Sequence, residues 1–194
     1  MKQLGILFTI AILSFSFISN DAPTGLNVEE IAPDFTAKNQ HNKDVNLKEL
    51  LKSGNVVLLF YRGEWCPFCN KQLKELEDSM SFISAKGANI VAITPEKQEN
   101  ISKTIEKTKA TFNIVSDENL QIMKAYKVAF KLDEKTTEKY KGYGVNLSER
   151  NGSNGNNLPV PALYVINKEG KITYRYFDTN YKNRASVKEI LKHL

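Results

Sequence analysis

The chain has two cysteines, Cys66 and Cys69, in a Cys-x-x-Cys arrangement. They stand where a run of apolar residues typical of a β-strand gives way to the spacing of an amphipathic helix. At such a junction the first sulfur lies beside free backbone N–H groups and the positive end of the helix dipole, which favours thiolate over thiol. Thiolate is the form that attacks disulfides and peroxides. The pair is therefore predicted to be a redox centre, with Cys66 as the lower-pKa nucleophile and Cys69 as its resolving partner.

Three other roles for the two cysteines compete with redox chemistry. A structural disulfide that closes so short a loop would remove little entropy from the unfolded chain. A zinc ion needs about four ligands, and the only histidines, His41 and His193, lack a paired, ligand-like spacing. Inert core cysteines are disfavoured because Pro67 and Glu64 mark the start of a helix and not the interior of a strand.

The residues around the cysteines supply candidate supporting groups. Arg62 could steer anionic substrate groups or support a thiolate, and a plain surface arginine is an equal alternative. Glu64 could move protons through water, although a solvated surface charge is the favoured interpretation. Trp65 and Phe68 are expected to form an apolar rim where a partner docks, with an ordinary core role as the alternative.

Length and composition indicate one domain. The chain has 194 residues, of which 41% are hydrophobic and 25% charged, enough for one core and one insertion. The net charge of +5 comes from lysines scattered among glutamates, without a basic stripe interleaved with aromatics. Nucleic-acid binding is therefore not expected. No cofactor or metal ion is expected either.

Residues 1–22 combine a short basic start with an apolar run and are predicted to be a signal peptide or an uncleaved N-terminal anchor. This pattern predicts export to the periplasm or cell envelope, with membrane contact only through an uncleaved N-terminus. Such a compartment can be oxidising, and a dithiol there needs a dedicated reductant to stay active.

Residues 23–194 form the predicted domain, in which strands and helices alternate. A small hairpin is expected at 35–46, and the run 55–61, which is apolar from Val56 onward, has the pattern of a strand buried on both faces of a parallel sheet. One long helix is expected from Pro67 until Gly87 stops it. The polar segment 128–158 interrupts the alternation and is predicted to be an insertion with a flexible Asn- and Gly-rich tip.

The order of these elements, with Glu64-Trp65-Cys66 and Cys69 at the first long helix, resembles the thioredoxin fold. Ala32-Pro33-Asp34-Phe35, the run from Tyr61 to Asn70, Leu158 to Ala162 and the tail Tyr181 to Arg184 resemble the peroxiredoxins of the AhpC/TSA family. The resemblance implies an α/β, thioredoxin-like fold: a central mixed β-sheet flanked by helices, with a peroxiredoxin-like N-terminal hairpin.

Laid on the common peroxiredoxin motif, Cys69 takes the peroxide-attacking position and Cys66 replaces a threonine. Arg62 replaces a proline, and Pro161 stands where many members keep an arginine that helps bind peroxide. Pro161 resembles instead the cis-proline that faces the dithiol in thioredoxins. Phe60 stands where thioredoxins place a buried acidic residue, so the general base of that family is missing.

The resemblance implies an antioxidant enzyme that reduces hydrogen peroxide or organic hydroperoxides through a Cys66/Cys69 dithiol–disulfide cycle, reset by a thioredoxin-type reductant. Two alternatives stay open. The first is an exported thiol–disulfide oxidoreductase that acts on protein cysteines, which Pro161 and the Trp-Cys pattern favour. The second is a redox-sensing interaction module whose 128–158 insertion binds a partner.

Overall fold

The computed structural model describes residues 22–194. The predicted signal peptide or anchor, residues 1–22, lies outside the described residues except for its last position. Within the described range, no helix has the length and apolar character needed to cross a membrane.

The described chain forms a five-stranded sheet, two short two-stranded sheets and surrounding helices. The strands are β1 Thr36–Lys38, β2 Asp44–Asn46, β3 Val56–Phe60, β4 Asn89–Thr94, β5 Asn113–Ser116, β6 Ala129–Lys131, β7 Asn157–Pro159, β8 Ala162–Ile166 and β9 Ile172–Phe177. The α-helices are α1 Leu47–Ser53, α2 Pro67–Asp78, α3 Met80–Ala85, α4 Gln98–Thr108, α5 Gln121–Ala125, α6 Glu134–Gly142, α7 Leu147–Asn151 and α8 Val187–Lys192.

The five-stranded sheet has the order β5-β4-β3-β8-β9. β3, β4 and β5 run parallel, whereas β8 pairs antiparallel with β3 and β9 pairs antiparallel with β8. The predicted α/β fold with a central mixed sheet is therefore confirmed, and so is the N-terminal hairpin of β1 and β2. Because β3 and β4 are parallel neighbours, the loops that follow their carboxyl ends lie side by side.

β3 is the middle strand, and every residue of it is buried. Its side chains alternate between two cores, as the pleat of a strand requires. Leu58 and Phe60 pack in the core that includes α1 and α5, whereas Val57 and Leu59 pack in the core that includes α2, α4 and α8. The second core also contains both cysteines, so the redox pair packs against α2, α4 and α8.

The expectation of one long helix after the cysteines was wrong. α2 ends at Asp78, and α3 begins at Met80 after Ser79, whose φ of −107° and ψ of 7° are not helical. Aspartate and serine side chains compete for nearby backbone groups and are weak helix formers, which explains a break at this point. The apolar spacing continues across the break, so Ile83 is buried like Leu73 and Leu76.

The 128–158 segment folds back against the loops that follow β4 and β5. Strands β6 and β7 close its base as an antiparallel pair, and α6 and α7 lie between them. The Arg150 carbonyl accepts a hydrogen bond from Lys97 N–H at 2.9 Å. The expected flexible tip is instead packed: Asn154 is buried, and its amide donates to the carbonyls of Pro95 at 2.8 Å and Asp117 at 2.9 Å.

Candidate redox site

The two cysteines lie at the start of α2, directly after the loop that follows β3. Cys66 is the N-cap residue of this helix, and Pro67 is its first residue. Proline suits this position because the N–H it lacks would have no partner within the helix. The Cys66 N–H donates to the Gly63 carbonyl at 3.1 Å, which closes the turn into the helix. Both sulfurs are free, and both residues are buried, with Cys66 1% and Cys69 0% exposed.

The electrostatics of the pair favour a thiolate on Cys69. Burial raises the pKa of Cys69, but hydrogen bonds from the Cys66 thiol and the Arg62 N–H and the positive charge of Arg184 outweigh it and lower the pKa to about 6. The Arg184 guanidinium donates to the Cys69 sulfur at 3.5 Å. The hydrogen bond to Cys69, followed by burial, raises the pKa of Cys66. The expectation that Cys66 has the lower pKa is therefore wrong, because these hydrogen bonds and the charge of Arg184 outweigh its place at the helix terminus.

Arg62 is buried and not a surface residue, being 3% exposed. Its guanidinium carbon lies 4.8 Å from the Trp65 ring centre, 5.4 Å from that of Tyr140 and 4.3 Å from that of Tyr181. The guanidinium also donates a hydrogen bond to the Tyr140 hydroxyl. Three aromatic faces thus hold one cation by cation–π contact, which places a fixed positive charge beside the dithiol.

Aromatic side chains cover the site. Trp65 packs against Tyr140 with 5.4 Å between ring centres, and Phe68 packs against Tyr181 at 5.8 Å, both edge to face. Trp65 and Phe68 are half-buried, and Tyr181 is 37% exposed. We call Trp65, Phe68, Tyr140 and Tyr181 the aromatic cap. Tyr140 lies on α6, so the 128–158 segment contributes to this cap directly.

Glu64 is buried and ion-paired, which corrects its interpretation as a solvated surface charge. Its carboxylate accepts hydrogen bonds from Lys107 on α4 and Arg150 on α7. Burial raises the pKa of Glu64, but the hydrogen bond from Lys107 and the charge of Arg150 outweigh burial, and the net pKa is below the ordinary value. Glu64 therefore stays ionised and joins three segments of the chain, a role that does not suit proton transfer near neutral pH.

A second buried carboxyl, Glu96, lies in the loop that follows β4 and was not predicted from the sequence. It is 0% exposed, and its Oε2 accepts a hydrogen bond from the Glu64 N–H at 2.7 Å. Burial raises the pKa of Glu96 to about 7. A β-carbon placed on Gly63 would lie 2.7 Å from Glu96 Oε1 and 2.5 Å from Trp65 Nε1, so only glycine fits between these two groups.

Pro161 does not have the predicted cis geometry. No peptide bond among residues 22–194 is cis, and the Val160–Pro161 bond is therefore trans. Pro161 is buried between β7 and β8. Position 161 therefore holds no positive charge. The arginine that contacts the Cys69 sulfur is Arg184, from the segment between β9 and α8.

A cleft of about 500 Å³ adjoins this arginine. Phe68, Gln72, Tyr176 and Lys182 are among the residues that line it together with Arg184. The cleft therefore combines aromatic walls with positive charge next to the group that contacts the Cys69 sulfur.

The structure places Arg62, Glu64 and Trp65 in the loop that leads into the dithiol helix, and it adds residues that the sequence analysis missed. Arg184 belongs to the tail Tyr181 to Arg184, which resembles the peroxiredoxins, but its sequence position did not indicate a role at the site. The place of Glu96 at the site could have been predicted from the sequence. It follows β4 at the same edge of the sheet where the cysteine loop follows β3. For Tyr140 no signal in the sequence pointed to the site.

The sequence and the fold of this chain are similar to those of known proteins. The model of the AhpC/TSA family matches residues 28–175. Peroxiredoxin Q of Populus jackii is 26% identical over 186 residues, which cover 96% of this chain and 76% of that protein. The crystal structure of peroxidoxin BcpB from Mycobacterium tuberculosis superimposes with a TM-score of 0.67 at 18% identity, covering 86% of this chain and 94% of that one. The thioredoxin domain of a Bacteroides vulgatus thiol-disulfide oxidoreductase superimposes with a TM-score of 0.52 at 19% identity, covering 81% and 93%.

Proposed function

Because the chain belongs to the AhpC/TSA family, we propose that it is a thiol-dependent peroxidase in which Cys69 attacks the peroxide and Cys66 closes the disulfide. The observation that carries this assignment is the contact between the Arg184 guanidinium and the Cys69 sulfur. It supports a thiolate at Cys69 near neutral pH, the form needed for attack. Matching this chain to the peroxiredoxin motif assigns the same role to Cys69.

In the first step the Cys69 sulfur bonds to one peroxide oxygen, the O–O bond breaks, and the alkoxide or hydroxide that leaves takes up a proton. The product on the protein is a sulfenic acid. In the second step the Cys66 sulfur bonds to the Cys69 sulfur, the S–O bond breaks, and water leaves. Arg184 lies where it can stabilise the negative charge that develops on the departing oxygen.

Burial of both sulfurs favours a small oxidant. A hydroperoxide can enter under the aromatic cap, whereas a folded protein disulfide would have to displace Tyr140 or Tyr181 to reach Cys69. A thioredoxin-type dithiol would then reduce the disulfide and regenerate the pair, a slower step that requires displacement of the aromatic cap. The half-buried Trp65 and Phe68 are the surface on which such a reductant would dock. The N-terminal sequence pattern supports placing this cycle in the periplasm or cell envelope.

A three-protein comparison tests the assignment: the wild type, Cys69→Ser and Cys66→Ser, each reduced and mixed with hydrogen peroxide. The wild type should consume peroxide in step with disulfide formation, and Cys69→Ser should consume none. Cys66→Ser keeps a hydroxyl donor next to Cys69 and should stop at a sulfenic acid that dimedone traps. Oxidation no faster than that of free cysteine, or full activity of Cys69→Ser, would contradict the proposal.

A thiol–disulfide oxidoreductase remains the second candidate, because the similarity to a thioredoxin domain and the short spacing of the dithiol favour it. It predicts that the reduced protein cleaves insulin disulfides or exchanges with a partner dithiol at a rate that exceeds its peroxide rate. Absence of both reactions would exclude it.

A further inference from the structure

Glu96 is a carboxylic acid enclosed behind the loop that carries the cysteines. Its backbone is held on both sides: the Glu96 carbonyl accepts from the Ser116 hydroxyl at 2.6 Å, and the preceding Pro95 carbonyl accepts from Asn154. The side chain reaches the Glu64 N–H through Oε2, and the other oxygen, Oε1, has no hydrogen-bond partner within residues 22–194. Oε1 instead faces Gly63, on the side where Trp65 Nε1 is also unpartnered among these residues.

The charges around Glu96 do not neutralise it. Glu64 lies on the adjacent loop, Cys69 on α2, Arg150 on α7 and the Tyr61 hydroxyl at the end of β3. The side chain of Arg150 is bonded to Glu64, as is that of Lys107 on α4. Glu96 therefore has one backbone donor and no ion-pair partner of its own within the described chain. An enclosed carboxyl in that condition favours its protonated form.

The proposed peroxidase cycle leaves one proton unaccounted for. Reduction of a hydroperoxide to an alcohol and water consumes two electrons and two protons. The dithiol supplies both electrons, but in its resting state it holds only the proton on Cys66, because Cys69 is a thiolate. The second proton must come from another group or from the solvent.

We propose that Glu96 stores this second proton and releases it as the Cys66–Cys69 disulfide forms. The inference rests on the proposed dithiol cycle. In full, the Cys69 thiolate, the Cys66 thiol, protonated Glu96 and a hydroperoxide yield the disulfide, ionised Glu96, an alcohol and water. When an external dithiol reduces the disulfide, one of its two protons returns to Cys66 and the other to Glu96. Glu96 is a proton store beside the site and does not attack substrate.

Thermodynamic linkage supports this coupling. The negative charge on Cys69 is among the causes that raise the pKa of Glu96. Disulfide formation removes that charge, so the pKa of Glu96 falls and Arg150 then stabilises the carboxylate that remains. Glu64 cannot serve in the same way because Lys107 and Arg150 keep it ionised in both redox states.

Proton counting tests the proposal. Reduced protein is mixed with one equivalent of oxidant in weak buffer with a pH indicator, and proton uptake from solvent is measured per disulfide formed. The wild type should take up less than about half a proton at about pH 6.5 and close to one at about pH 8.5. Glu96→Gln, which mimics the protonated side chain, should take up about three quarters of a proton at about pH 6.5, because a Cys69 thiol with a pKa of about 6 keeps about a quarter of its own proton there. At about pH 8.5 it should take up close to one proton. Glu99→Gln, an exposed glutamate on α4, should match the wild type.

Infrared difference spectra give a second readout. Oxidation of the wild type should remove the carbonyl band of a protonated carboxylic acid, and that change should be missing from Glu96→Gln. Equal proton uptake by the wild type and Glu96→Gln would overturn the proposal. If Glu96→Gln does not fold, the wild type decides alone, since uptake near one proton throughout this pH range overturns it.

Each measurement is made with hydrogen peroxide and with diamide, a small oxidant that also accepts two electrons and two protons. Diamide separates this inference from the peroxidase assignment. A slow peroxide reaction together with the expected counts under diamide would reject the peroxidase and keep the proton store. Fast peroxide consumption with equal proton uptake in the wild type and Glu96→Gln would keep the peroxidase assignment and reject the proton store.

Discussion

The Arg184 guanidinium and the Cys69 sulfur lie 3.5 Å apart, although 115 positions separate the two residues in the chain. This contact places a positive charge beside the Cys69 sulfur, whereas position 161, where many peroxiredoxins keep an arginine, holds a proline. In the proposed cycle it makes the reactivity of Cys69 depend on the segment between β9 and α8.

Arg184→Ala should raise the pKa of Cys69. Loss of an opposite charge in contact with an ionised group costs about one pKa unit or more. The alkylation rate of Cys69 by iodoacetamide, in a Cys66→Ser background, should then reach its half-maximum at higher pH than with Arg184 present. Arg184→Lys keeps the charge and should shift the midpoint less. An unchanged midpoint in Arg184→Ala would show that the charge of Arg184 does not set the pKa of Cys69.

Glu64→Gln should destabilise the protein by about 2–3 kcal/mol at neutral pH. This value is near the lower end of the cost of removing one partner from a buried ion pair, because the Lys107 and Arg150 side chains that remain are in contact with water. The pKa of Glu64 is lowered on folding, so its stabilisation is present above its ordinary value of 4.5 and is lost as the pH falls below it. Urea denaturation should therefore show a difference from the wild type that shrinks in acid. Glu49→Gln, which loses an exposed pair with Lys52, should change stability by less than about 1 kcal/mol.

Gly63→Ala should destabilise the fold by about 1–3 kcal/mol, because the added carbon would meet Trp65 Nε1 and Glu96 Oε1 at van der Waals overlap. Gly63 also has a φ of 150°, which residues with a side chain rarely adopt. Gly142→Ala is the matched control, since no atom lies within 4 Å of its added carbon and it ends α6. Equal denaturation midpoints for the two variants would show that the cysteine loop relaxes around the extra atom.

Tyr140→Ala should open the aromatic cap. Tyr140 contacts Trp65 and Arg62, and aromatic and cation–π contacts of this kind are worth about 1 kcal/mol each. Labelling of the cysteines by a bulky maleimide should become roughly tenfold faster, because the cap opens more often. The rate of oxidation by hydrogen peroxide should increase much less, because this molecule is small enough to enter without opening of the cap. Tyr143→Ala removes a 71% exposed neighbour and should leave both rates unchanged.

Local patterns predicted most of the elements but few of the contacts at the site. The run at 55–61, apolar from Val56 onward, correctly predicted the central strand, because a strand covered on both faces cannot accommodate polar side chains. The burial of Glu64 could not be predicted in this way. Its two cations come from α4 and α7, at positions 107 and 150, and only the tertiary fold brings them to one carboxylate.

The order of the two thiol pKa values also depends on the tertiary fold. From the sequence, only the helix terminus could be considered, and it favoured Cys66. The structure adds a guanidinium 3.5 Å from Cys69 and a hydrogen bond from one sulfur to the other, and these contacts outweigh a helix dipole.

Arg184 follows Cys69 by 115 positions, and Ile190 of α8 anchors the segment after Arg184 in the core. During synthesis the cysteines leave the ribosome long before their activating cation does. Until α8 docks, both thiols lack the guanidinium that lowers the pKa of Cys69. In the proposed cycle, reactivity toward oxidants is therefore acquired only when the segment between β9 and α8 packs against α2, and a chain caught before that step carries two ordinary thiols.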